Sequence, residues 1–421
     1  MTETAPAPKK RTGRRFTLVL FALLVVIVVA GIAMWSRAQS KHLRDEFAAH
    51  GYPTSLQELD KWYTAVPQRQ NAGLKFIGAR DAMVTSADAA RLPYVGDGPI
   101  GIETLTPELL PTADAFLAAN KPALELAHAA AVLRIARYPV DFSQLPLPAT
   151  RWDEGQKVAR MLWLEAALRA RQGKAEEATA ALEAAFTYTS TVANDPFMMS
   201  HVQTLSLLAR TISTSCDVMS VATLDKKQLD RLQEVLRYVN IRQSFERALV
   251  SDAVFCLYSD YPGNIFGRPL ALWDRAAYGQ MILALVQASI LPTPEFVLEL
   301  RRLNAKHPPL ANITQPGTEI TRGAYLSTES TSKGIVRSEL FTLVLVIERS
   351  RLVKNAVPSK LEELVPRPLK TLPKDPFGDG AYKYESKGNG YILYSVGPDG
   401  VDGHGDTEAK DNDDLVVRVT R

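Results

Sequence analysis

The sequence predicts a mainly α protein in three parts. A single N-terminal transmembrane helix leads into a large, irregular helical domain, and a small α+β module closes the chain. Three observations carry this. Residues 16–35 form a run of twenty without a charge. From 36 to about 335, apolar positions recur at helical spacing, interrupted by Pro/Gly-rich stretches at 93–107 and 138–148. Beyond 336, Tyr- and Val-rich runs divided by Gly/Asn turns replace that period. Composition agrees. At 46% hydrophobic and 23% charged over 421 residues, the chain is neither disordered nor a multi-span bundle. At roughly 150 residues per domain, this length allows two or three domains. Two cysteines exclude a disulfide scaffold and a Cys-rich zinc site.

The apolar run is long enough to cross a hydrocarbon core of about 30 Å at about 1.5 Å per residue. Trp35 suits the membrane–water interface. The preceding tail, residues 1–15, holds Lys9, Lys10, Arg11, Arg14 and Arg15 against Glu3, a net +4. The positive-inside rule then places this tail in the cytoplasm and the bulk of the chain outside the inner membrane. A cleaved signal peptide would carry a shorter apolar core and a small-x-small exit. This core instead runs into Met34-Trp35-Ser36-Arg37, so an uncleaved anchor over 16–36 is expected. Phe16-Thr17-Leu18 also resembles the start of type IV prepilins. Arg15 replaces that family's processing glycine and Leu20 its glutamate, so a plain anchor is preferred over a processed one.

The domain expected at 37–335 has one sharp helix start. Asp225 can cap free amides while Gln228 reaches back, and Leu229, Leu232, Leu236 and Val239 then form one apolar stripe. Residues 161–186 read as two helices meeting at Gln172-Gly173-Lys174. They resemble one tetratricopeptide hairpin without a second copy at that repeat's period. Cys216 and Cys256 lie in apolar helical segments. Two readings stand, an oxidised pair or two buried thiols, and the second is favoured.

No catalytic motif stands out. The six histidines form no metal pair, and no nucleophile elbow, P-loop or dinucleotide fingerprint is present. No basic run carries interleaved aromatics, so no nucleic-acid partner is expected.

The module at 336–421 opens with a largely apolar helix over 336–354, followed by a short turn of helix at 358–364. Strands are expected at 381–385, 391–396 and 415–419, the first two joined by a turn at 387–390. The order is distinctive. Pro-x-x-Leu-x-x-Leu begins at Pro358, Leu372-Pro373-Lys374-Asp375-Pro376-Phe377-Gly378 follows, then a Tyr-x-Tyr strand, and then Tyr394-Ser395-Val396-Gly397-Pro398-Asp399-Gly400. It resembles the globular domain of the major pseudopilin of type II secretion systems over roughly the last 85 residues. That resemblance implies one calcium ion in the loop after Tyr394-Ser395, with Asp399 and Asp414 at the family's ligand positions. The loop is longer here, and Asp402, Asp406, Asp411 and Asp413 are further candidates. The chemistry agrees: from Val396 onward there are seven acids against three bases, with glycines at 397, 400, 403 and 405. A hard cation takes six to eight oxygens from carboxylates and backbone carbonyls.

The chain as a whole is similar to large membrane-anchored proteins of planctomycete-like bacteria, a resemblance that implies no activity. The expected function is a non-enzymatic envelope scaffold or interaction protein with a calcium-stabilised end and protein partners. Two alternatives stand beside it: a pseudopilin-type subunit or accessory of a secretion or pilus-like system, and an envelope enzyme with its site in the helical domain. The formal charge of +3 is no surface property. It sums a +4 tail, a neutral anchor and a remainder of −1, within which the last 26 residues carry −4.

Overall fold

The structure is a computed structural model and describes residues 12–96, 100–142, 150–258, 279–306, 315–406 and 413–421. It is mainly helical, with a small three-stranded sheet and one N-terminal apolar helix.

Helix α1 (Thr12–Ala49) runs unbroken for 38 residues and does not stop at Trp35. No proline interrupts it, and the chain turns only at Gly51, with φ +75°. There the Tyr52 N–H donates to the Phe47 carbonyl at 2.9 Å and the Gly51 N–H to Ala48 at 3.0 Å. This is a Schellman cap, in which a left-handed glycine closes the last carbonyls. The apolar stretch from Phe16 is long enough to cross a membrane and is unburied. Farther along, Leu43 and Phe47 are buried in the body of the protein. Gln280 donates to Gln39 at 2.9 Å from α11 (Gly279–Ala288).

α2 (Leu56–Trp62) packs on a later helix, while α3 (Ala72–Asp81), α4 (Leu110–Ala119) and α5 (Lys121–Ala131) follow, with α5 packed on both α3 and α4. α6 (Thr150–Arg171) and α7 (Ala175–Ala193) make the expected antiparallel hairpin. Gly173 (φ +72°) closes α6 in the same Schellman way as Gly51 closes α1. α8 (Met198–Val221) packs across both helices. Buried hydroxyls in α7 and α8 find carbonyls one turn back, as Thr189 does with Ala185 at 2.9 Å and Thr211 with Leu207 at 2.8 Å. Most of the hydroxyls buried in these two helices are paired in this way, and Thr214 Oγ1 of α8 is an exception.

The start of α9 (Lys226–Leu236) is as read from sequence. Gln228 N–H donates to Asp225 Oδ1 and Asp225 N–H to Gln228 Oε1, both at 2.8 Å. Leu229, Leu232, Leu236 and Val239 are all buried. α10 (Ile241–Tyr258) and α12 (Thr293–Lys306) complete the helical layer around α13 (Gln315–Lys354). At 40 residues, α13 begins far upstream of the helix expected at 336, so the expected 335/336 boundary falls inside one continuous helix.

Three strands follow in the order β1 (Lys383–Lys387), β2 (Gly390–Ser395), β3 (Leu415–Val419), antiparallel throughout. β3 matches its expected range. The first hairpin is shifted by up to two residues, because its turn contains only Gly388 and Asn389. Gly388 has φ +59° at the first central position, as in a type II′ turn. Ala381 instead makes an isolated bridge to Lys374. The sheet packs on α13 and α8, and one hydrophobic core runs from Leu43 of α1 to Val419 of β3.

Candidate functional site

The acidic loop between β2 and β3 is built on a buried carboxylate that the sequence reading did not assign a role. Asp375, 4% exposed, accepts the Phe377 N–H at 3.0 Å and the Ser395 hydroxyl at 2.8 Å through Oδ1. Its Oδ2 accepts the Val396 N–H at 3.0 Å. Three donors thus satisfy one buried charge, and the Asp-Pro-Phe-Gly turn is pinned to the end of β2. The sequence signal was present: an acid between two prolines in the motif that carries the resemblance. At Gly397 (φ +69°) the chain passes so close to β3 that a Cβ would sit 2.0 Å from the Asp413 carbonyl oxygen.

The carboxylates expected to gather around calcium take individual protein partners. Asp399 Oδ1 accepts the Val401 N–H at 3.1 Å. Asp402 Oδ1 accepts the Tyr394 hydroxyl and the His404 N–H, each at 3.0 Å, while Lys383 Nζ lies 3.3 Å from Oδ2. Burial of Asp402 opposes ionisation, but these three donors outweigh it and hold its carboxyl below the usual range. Asp414 accepts Gly405 N–H at 2.8 Å on Oδ2 and Gly403 N–H at 3.4 Å on Oδ1. Asp413 lies 3.7 Å from Lys333 Nζ, which also pairs with Glu329 at 2.8 Å. The Asp406 N–H donates to the Gly403 carbonyl at 3.2 Å. Asp411 lies outside the described residues.

Basic side chains converge on the same loop from four elements. Besides Lys333 of α13 and Lys383 of β1, Arg418 of β3 donates to the Gly405 carbonyl at 2.9 Å. Arg301 of α12 donates to the Pro398 carbonyl at 3.1 Å and stands over the Phe377 ring. Among the described residues no three His, Cys, Asp or Glu side chains are close enough together to hold a metal ion. The loop is thus held to the helices by ion pairs and guanidinium–carbonyl bonds.

Three further titratable groups pack in or beside the core. Cys216 is a buried free thiol, and burial raises its pKa. The Cys256 side chain lies outside the described residues. His128 meets Glu165 at 2.9 Å. Burial opposes its protonation, but the Glu165 hydrogen bond and charge prevail and raise its pKa. His201, fully buried, joins three helices: Nδ1 is 3.0 Å from Ser244 Oγ and Nε2 is 2.8 Å from Thr331 Oγ1. The Thr331 hydroxyl gives its own proton to the Ser327 carbonyl at 2.5 Å. Thr331 therefore accepts from Nε2–H, and Ser244 donates to Nδ1, which fixes a neutral tautomer. Burial lowers the His201 pKa to about 3.

No family model, curated protein or solved structure matches this chain.

Proposed function

We propose that the chain is a single-pass protein of a bacterial inner membrane. Its N-terminal tail is cytoplasmic, and its helical domain and sheet lie outside, where they act as a non-enzymatic scaffold for a protein partner. One observation carries the reading. α1 exposes its apolar stretch on every side yet buries Leu43 and Phe47 of the same helix in the core of the body. An apolar surface of that size left in water is unfavourable, and a bilayer removes it. The basic residues before Phe16 support the orientation. The tetratricopeptide-like hairpin of α6 and α7 and the pseudopilin-like end are consistent with a binding rather than a catalytic role.

Protease protection tests the placement. In intact spheroplasts, external trypsin should cut the body of the chain and spare an epitope on the N-terminal tail. Release of the whole chain by carbonate extraction would refute the anchor, and protection of the body would refute the orientation.

Calcium at the acidic loop belongs to the same proposal. It rests on the pseudopilin resemblance and on the excess of acids after Val396. The described carboxylates fit the ion only in part, because Asp399, Asp402 and Asp414 already accept protein donors and Asp413 faces a lysine. Asp399→Ala should lower the melting temperature in calcium and leave it unchanged in chelator. Identical melting of the unsubstituted protein with and without calcium would remove the ion from the reading.

A further inference from the structure

A cavity of about 210 Å³ lies between the loop that follows α2, the chain beyond α5, the turn from α7 to α8, and α10. Stretches far apart in sequence meet there: residues 62–66, 135–136, 194, 196 and 247. Trp62, Val66, Ile135 and Pro196 give it an apolar wall. An apolar cavity of about 150 Å³ takes a benzene. This one therefore admits a small ring or a short branched chain together with one polar group.

Arg247 is the one charged residue among the described residues that line it. It is partly buried on α10, and desolvation lowers its pKa more than the Tyr63 hydroxyl and Glu246 raise it. Comparably placed arginines hold a carboxylate: Arg231 meets Glu183 at 2.5 Å, Arg349 meets Asp230 at 2.9 Å, and Arg137 meets Asp60 at 2.5 Å. Arg247 forms no such pair among the described residues. Its hydrogen bond runs from Nη1 to Asn194 Oδ1, a neutral acceptor. Glu246, next in the chain, is engaged elsewhere and accepts the Tyr52 hydroxyl at 2.6 Å. The Nε–H and Nη2–H side of the guanidinium thus has no protein acceptor among the described residues. That is the side of the fork that takes a carboxylate in two parallel bonds. A desolvated cation without a counter-ion is costly, and methionine would pack the same space without that cost.

We propose that this cavity binds a small organic monocarboxylate with an apolar tail. The carboxylate would lie on the Arg247 fork, within reach of the Asn194 amide NH2, whose Oδ1 already faces Arg247. The tail would rest against Trp62, Val66, Ile135 and Pro196. A phosphate dianion would keep one charge unmatched and would set oxygens against the apolar wall. A neutral amide would leave the guanidinium uncompensated, and an amine would be repelled. The proposal is independent of membrane placement and of calcium, so its failure leaves both readings untouched.

The test uses the full-length protein in detergent micelles at constant ionic strength, with isovalerate and benzoate as probes. Isovaleramide and benzamide keep the shape without the charge, and inorganic phosphate supplies charge without the tail. At least one carboxylate should raise the melting temperature saturably, and the three comparators should not. Arg247→Met should weaken that binding at least about tenfold, equivalent to about 1.4 kcal/mol. Arg247→Lys keeps the charge but loses the fork, and should bind more weakly than the unsubstituted protein. Circular dichroism checks the fold of each variant. If Arg247→Met misfolds, Arg247→Lys and the contrast between acid and amide decide. The proposal is overturned if neither carboxylate binds at millimolar concentration, if an amide or phosphate binds as well, or if the folded Arg247 variants bind unchanged.

Discussion

Acidifying the protein from pH 7 to pH 5 should weaken it through His201. In the folded state the imidazole is neutral and its pKa is lowered to about 3 by burial. In the unfolded chain it titrates near 6.5. The unfolded state therefore binds a proton that the native state refuses, and stability falls as pH drops below 6.5, until the native pKa is reached. Over the interval from pH 7 to pH 5 this amounts to about 2 kcal/mol, an order-of-magnitude figure from about 1.36 kcal/mol per pH unit. The assay is urea unfolding at both pH values, on the unsubstituted protein and on His201→Gln. The variant will be weaker at both, because Ser244 and Thr331 lose part of their bonding. Its additional loss on acidification should be smaller by about 2 kcal/mol. An equal acid loss in both proteins would refute the neutral, three-helix role of this histidine.

Three further outcomes follow from the same geometry. Asp375→Ala strands three buried donors, so the module should lose about 3–5 kcal/mol, and amide exchange at Val396 should accelerate markedly. Gly397→Ala should destabilise by clearly more than Gly388→Ala, measured as melting temperature. Both sites have positive φ, but only at Gly397 does a Cβ meet a carbonyl oxygen. The His128–Glu165 pair should stabilise fully below pH 6.5 and lose its contribution as pH rises through the elevated folded pKa. The melting-temperature gap between the unsubstituted protein and His128→Gln should therefore be larger at pH 6 than at pH 9, and a constant gap would contradict the pairing.

Local signals were the legible ones. The capping box at Asp225 and Gln228, the stripe behind it, and β3 each announce themselves within a few residues. Features set by tertiary context were not legible. α1 continues past Trp35 because Leu43 and Phe47 find a core, although the local sequence turns charged there. The upstream part of α13 is rich in Ser, Thr and Gly, and nothing local announces that it runs on without a break into the helix expected at 336–354. Burial of one face against the body stabilises it as helix, and hydroxyls such as that of Ser332 are satisfied there by the carbonyl of Thr328 at 3.0 Å. In the acidic loop, composition disclosed the charge but not its direction. The basic partners come from α12, α13, β1 and β3, over a hundred residues of chain. His201 had no signal at all, since its partners lie 43 and 130 residues away.

The unbroken run of α1 gives the molecule the mechanics of a rod rather than a tether. From Trp35 to the Gln39–Gln280 contact is only four residues, about 6 Å of helix at about 1.5 Å per residue. With the apolar stretch of α1 in a bilayer, as proposed above, height above the bilayer and azimuth about its normal would be coupled. One residue inserted after Trp35 would lift the body by about 1.5 Å and swing it through about 100°, presenting a different flank to anything fixed in the same membrane. A flexible linker of equal length would absorb the insertion unnoticed.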